Sequence, residues 1–146
     1  MRNIKSKARV ELIKLNGETQ KVILNIIKDG LIYLLNRMDK VENHNVIKHL
    51  TLLYFNISGE NEKEIIEFEN LSVREQGIFY HIMIEGITDV IIVNQYLTMI
   101  YLTREDKDKI IEEIIKFISN ITGFSEFKVN RKIKLNIKKE RKNARL

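Results

Sequence analysis

VELIKLNGETQKVILNIIKDGLIYLL, residues 10–35, is the stretch on which the fold turns. Read with a period of two, Val10, Leu12 and Lys14 share one face of a strand and Glu11, Ile13 and Leu15 the other. Asn16-Gly17 follows at once, and Asn-Gly between two apolar runs is the strongest short hairpin signal a sequence carries. Lys21–Ile27 is then the returning strand, Lys28-Asp29-Gly30 a second turn, and Leu31–Leu35 a third strand.

Working outward, Asn36–Asn45 is polar and reads as an exposed loop. Val46–Ile57 follows as a long strand rich in β-formers, among them Leu52, Leu53, Tyr54 and Phe55. Ser58–Lys63 is a polar connection, and Ile65–Phe68, Gly77–Ile84 and Val90–Leu102 are three further strands. Short strands with regular turns predict a mainly β fold, a small antiparallel barrel of six to seven strands.

The pattern changes at Thr103. Thr103 with Asp106 three residues on is an N-cap signal, and Glu105 and Asp106 suit the positive end of a helix. Ile110, Ile111, Ile114, Ile115, Ile118 and Ile121 recur at helical spacing, and Gly123 is placed to end the run. The spacing predicts a helix over about 103–122. Beyond it, Phe127, Val129, Ile133, Leu135 and Ile137 alternate loosely with basic residues, as a last strand with one basic face. Lys138–Leu146 has no apolar pattern and reads as a flexible tail. The expected organisation is a basic N-terminal arm (1–9), a barrel with its C-terminal helix (10–122), and a basic extension (123–146).

Charge is segregated along the chain. Residues 1–9 hold Arg2, Lys5, Lys7 and Arg9 without an acid. Residues 128–146 hold nine cations against Glu140 alone. The net +5 of the whole chain thus conceals a body, 10–127, of net −7. Basic arms of this kind suit phosphate-bearing partners, because clustered Lys and Arg release counterions when they meet a polyanion. Nucleic acid is one such partner, through backbone contacts by Arg131, Lys132, Lys134, Lys138, Lys139, Arg141 and Lys142. Only Phe124 and Phe127 are near enough to stack on bases.

With no cysteine, disulfides, thiolate metal sites and thiol nucleophiles are excluded. No apolar stretch follows the N-terminal cations, and Asn94, Gln95 and Thr98 interrupt the greasiest run. A cytoplasmic protein without a membrane span is the expectation. Nucleotide-binding, zinc-protease and nucleophile-elbow signatures are all missing, so a non-enzymatic role is expected. His44, His49 and His81 have no metal-ligand spacing. Glu60, Glu62, Glu64, Glu67 and Glu69 read as the solvated edge of a short strand.

Lys5-Ser6-Lys7-Ala8-Arg9 and Asn25-Ile26-Ile27-Lys28-Asp29-Gly30 stand in the order and spacing of two motifs, R-x-x-x-R and [D/N]-x-S-x-x-G. With Tyr101–Asp106 leading into a C-terminal helix, the chain over roughly 5–122 resembles the PilZ domain family. Lys5 stands for the first arginine and Ile27 for the serine. The resemblance implies a six-stranded barrel in bacterial signalling. It implies cyclic di-GMP as ligand, held by Lys5, Arg9, Asn25 and Gly30, or for a degenerate member contacts with a protein partner. No other cofactor is implied.

Overall fold

The protein was analysed as a computed structural model that describes residues 5–97 and 102–144. Among these there are six α-helices and one turn of 3-10 helix, and no strand. The helices are α1 (Lys7–Ile13), α2 (Gly17–Arg37), α3 (His44–Ser58), α4 (Val73–Val93), α5 (Arg104–Thr122) and α6 (Glu126–Ala144). The expected β-barrel is therefore overturned. α4 lies centrally and packs against α2, α3, α5 and α6, while α1 joins α3 to α5.

Residues 10–35 carry two periodicities, and the helical one is realised. Ala8 and Leu12 are the buried residues of α1. Asn16 ends no strand; it caps α2, its side chain accepting a hydrogen bond from the Glu18 amide. Both expected strands after it merge into α2. Val22, Ile23, Ile26, Ile27 and Leu31 are buried along one stripe of that helix. Val46–Ile57 likewise buries Val46, Leu50, Leu53 and Ile57 as one face of α3. Gly77–Ile84 and the start of Val90–Leu102 lie together in α4, whose Ser72–Glu75 capping box opens the helix. Residues 98–101 of that last expected strand lie outside the described residues. Ile65–Phe68 leads into the 3-10 turn Phe68–Asn70.

Gly30 marks the physical reason for the misreading. It sits within α2 and faces Ile82 of α4, while Gly86 of α4 faces Ile26 of α2. A Cβ at either glycine would meet the opposing isoleucine Cγ1 at 2.8 Å. Each missing side chain makes room for an isoleucine of the other helix, so the two backbones approach closely. In sequence, a glycine used for packing looks the same as a glycine used for turning.

Helix ends are fastened by side chains from distant elements, acids at N-termini and cations at C-termini, as the helix dipole favours. Glu67 accepts from the Lys7 amide at 3.0 and 3.1 Å, so it anchors α1 instead of edging a strand. Glu113 of α5 accepts from the Asn16 amide and the Thr19 hydroxyl at the start of α2. Lys107 donates to the Ile91 carbonyl at 3.0 Å near the end of α4. Buried Asn56 holds the 59–66 connection by donating to the Asn61 and Glu64 carbonyls and accepting from the Ile66 amide.

α5 has the expected Thr103–Asp106 capping box and a left-handed Gly123 at its end. After it the sequence expectation fails again. Phe124–Ile137 is no strand, and Lys138–Ala144 continues α6 where a flexible tail was expected. Arg2 and Arg145 of the expected basic arms lie outside the described residues. By length and composition α4 would also suffice to cross a membrane, but 44% of its most apolar window is buried inside the bundle.

Candidate functional site

The four residues that the PilZ resemblance assigns to a ligand lie on different elements, and two have structural work. The Arg9 guanidinium packs over Gly59, the left-handed residue ending α3, and donates to the Ile57 carbonyl at 3.1 Å. Its Nε is buried without a partner among the described residues. Gly30 is closed in between α2 and α4. Asn25 is on the exposed side of α2, and Lys5 is exposed ahead of α1. Among the described residues none of the four hydrogen-bonds another.

The expected phosphate-contacting cations are drawn onto one folded surface. Val129 and Ile133 are buried on the inner stripe of α6, with Ile137 packed at the core margin. Asn136 reinforces this docking by donating to the Thr88 hydroxyl of α4 at 2.9 Å. At 3.6 residues per turn, Lys128, Arg131, Lys132, Lys134, Lys138, Lys139, Arg141 and Lys142 then spread over the outer ~180–200°. All eight are exposed. Lys128 to Lys142 spans about 21 Å along the axis. Among the described residues no acid pairs with any of the eight. Lys128 instead places its Nζ 3.9 Å from the centre of the Phe124 ring, and that ring meets Tyr80 edge-on at 5.0 Å.

Beside this surface runs a cleft of about 470 Å³ between α4 and α6. Gly77, Tyr80 and His81 form its α4 wall; Lys128, Arg131, Lys132 and Leu135 form its α6 wall. A Cβ on Gly77 would meet nothing within 4 Å, so this glycine leaves open space where Gly30 and Gly86 admit isoleucines. Burial pushes the Tyr80 phenol above its ordinary pKa, and its hydroxyl has no hydrogen-bond partner among the described residues.

Comparison with protein-family models, curated proteins and solved structures finds no match. The functional reading therefore rests on this geometry alone.

The histidines are dispersed. His44 opens α3, His49 meets Glu75 at 2.8 Å, and His81 lies 3.9 Å from Glu85. Among the described residues no group of three or more His, Cys, Asp or Glu is placed to hold a metal ion. Burial by itself would raise the Glu75 carboxyl. Hydrogen bonds from Ser72 and His49, with the charge of His49, instead hold it below the usual carboxylate range. Asp89 goes the other way, pushed up by burial first and then by Glu85 and by Glu140 of α6. The sequence reading missed Glu75, Gly77, Tyr80 and Leu135 as members of special sites. For Glu75 the signal was available, since Ser72-x-x-Glu75 has the capping-box spacing already used at Thr103. For the cleft residues no local signal exists, because their association depends on how α6 docks.

Proposed function

We propose that this chain is a helical polyanion-binding domain whose α6 outer face contacts the phosphate backbone of nucleic acid. The observation that carries the reading is the row of eight exposed cations, without an acidic partner among the described residues, held on a docked helix. A solubilising tail needs no buried stripe, yet α6 spends Val129, Ile133 and Asn136 on fixing its orientation. Four of the cations (Lys128, Arg131, Lys138 and Lys142) lie within ~60° of the outward direction, so they address one backbone together. Contact to phosphate is favoured over reading of adenine edges, because the Asn130 and Asn136 amides, which suit those edges, are engaged within the protein. The inward contacts of Arg9 and Gly30 favour this reading over a dinucleotide site at those residues.

The test is fluorescence anisotropy with duplex DNA across a salt series. Four phosphate contacts predict a slope of log K on log salt of about −3.5. The double variant Lys138→Glu/Lys142→Glu should flatten the slope by about 2 and weaken binding at every salt concentration. Binding that ignores salt, or that survives this double charge reversal intact, would refute the assignment.

A further inference from the structure

The α6 face explains attraction to phosphate, but three features of the adjoining cleft go beyond it. First, the cleft is not uniformly charged. Lys128, Arg131 and Lys132 share the α6 side with Leu135, and Gly77 and the Tyr80 ring stand opposite beside His81, so cations adjoin apolar surface. Second, apolar groups are left in water among these cations. Leu135 is 55% exposed and Phe127 is 78% exposed. Phe127, Arg131 and Leu135 are four residues apart on α6, which places them in one stripe. Third, glycine inside a helix weakens it, and Gly77 has no packing neighbour that requires its missing side chain.

We infer that the α4–α6 cleft accepts an unpaired nucleotide, so that the preferred ligand is a single strand. The base lies against Tyr80, Gly77 and Leu135, and its flanking phosphates meet Lys128, Arg131 and Lys132. A cleft of about 470 Å³ is in the size range of small-molecule sites and admits one base with its sugar. Charge selects the occupant. An apolar peptide would leave three cations unanswered, and an inorganic anion would leave the Tyr80 and Leu135 surface bare. A duplex keeps its bases stacked inside and presents only phosphates, so it engages the outer face but leaves the cleft empty. Stacking of an exposed base on a side-chain platform is indifferent to base identity. The α6 face and this cleft together therefore describe binding without sequence preference.

The inference rests on the α6 reading, and one experiment separates the two. Wild-type protein, Gly77→Leu, Leu135→Ala and Lys138→Glu/Lys142→Glu are titrated with a labelled oligothymidylate and with a duplex of equal phosphate number, at matched salt. Gly77→Leu fills the cleft without changing charge, and circular dichroism checks that each variant is folded. The expected result is tighter binding of the single strand by wild type, and a loss of about tenfold for that probe alone in Gly77→Leu. Leu135→Ala should reduce the same probe's affinity by a smaller factor. The charge-reversal variant should weaken both probes. Equal binding of both probes by wild type, or an equal fall for both in Gly77→Leu, overturns the cleft assignment and leaves the α6 face standing. Failure of both probes to bind at low salt overturns both readings.

Discussion

Alanine at two glycines of the same helix should change stability in opposite directions. Gly77 and Gly86 both lie within α4, and replacing an interior helical glycine by alanine is worth about 1 kcal/mol from propensity alone. At position 77 no packing contact opposes that gain, because beyond its own helical turn and chain neighbours the new methyl group meets no described atom within 4 Å. Gly77→Ala should therefore stabilise the fold by ~0.5–1 kcal/mol. At position 86 the methyl would lie 2.8 Å from Ile26 Cγ1, with the Cγ2 nearer still, and Ile26 is itself buried in the core at 1% exposure. Overpacking of this kind costs about 1–3 kcal/mol, so the net for Gly86→Ala is a loss of about 1 kcal/mol. The separation between the variants, roughly 2 kcal/mol, corresponds to about 6–8 °C in Tm for a chain of this size. Differential scanning calorimetry with urea unfolding measures it. A double-mutant cycle tests the cause: Ile26→Ala opens a cavity that the methyl group introduced by Gly86→Ala partly fills. Gly86→Ala with Ile26→Ala should then be better than the sum of the singles by ~1–3 kcal/mol. If Gly86→Ala stabilises as Gly77→Ala does, α2 and α4 do not approach through these glycines, and the argument fails.

Three further outcomes follow from the same contacts. Arg9→Ala should cost about 1–3 kcal/mol by uncovering the Ile57 carbonyl and the end of α3, as read by urea midpoint, while nucleic-acid affinity stays near wild type. The Glu75 carboxyl is held low in the folded state, so its stabilising contribution is complete above its unfolded pKa and is lost as pH falls through the folded value. The acid limb of Tm against pH should accordingly be shallower in Glu75→Gln than in wild type, and parallel limbs would dismiss the cap as its source. Asp89 has the opposite sign: its pKa is raised on folding, so its ionised form destabilises the fold above the unfolded pKa. Asp89→Asn should raise Tm at neutral pH and lose that advantage in acid; a neutral-pH decrease would contradict the crowding of Asp89 by Glu85 and Glu140.

Sequence alone placed α5 with both of its caps, because Thr103, Asp106, the isoleucine spacing and Gly123 all state one period. It also located the basic residues of α6 and the excess of charge they carry. Elsewhere β-branched residues and internal glycines imitated strands and turns. Isoleucine has only a weak bias against helix, and that bias yields to burial along a 3.6-residue stripe. The local patterns of α2, α3 and α4 permitted both periods, and the choice fell to contacts between segments far apart in the chain. Gly30 received its role from Ile82, Gly86 from Ile26, and Arg9 from the end of α3. In the same way the sequence supplied the cations of α6, but their common direction and the cleft beside them exist only because Val129, Ile133 and Asn136 dock that helix on the bundle. Charge is a property of residues one at a time, whereas a face or a cleft is a relation between helices, which packing alone decides.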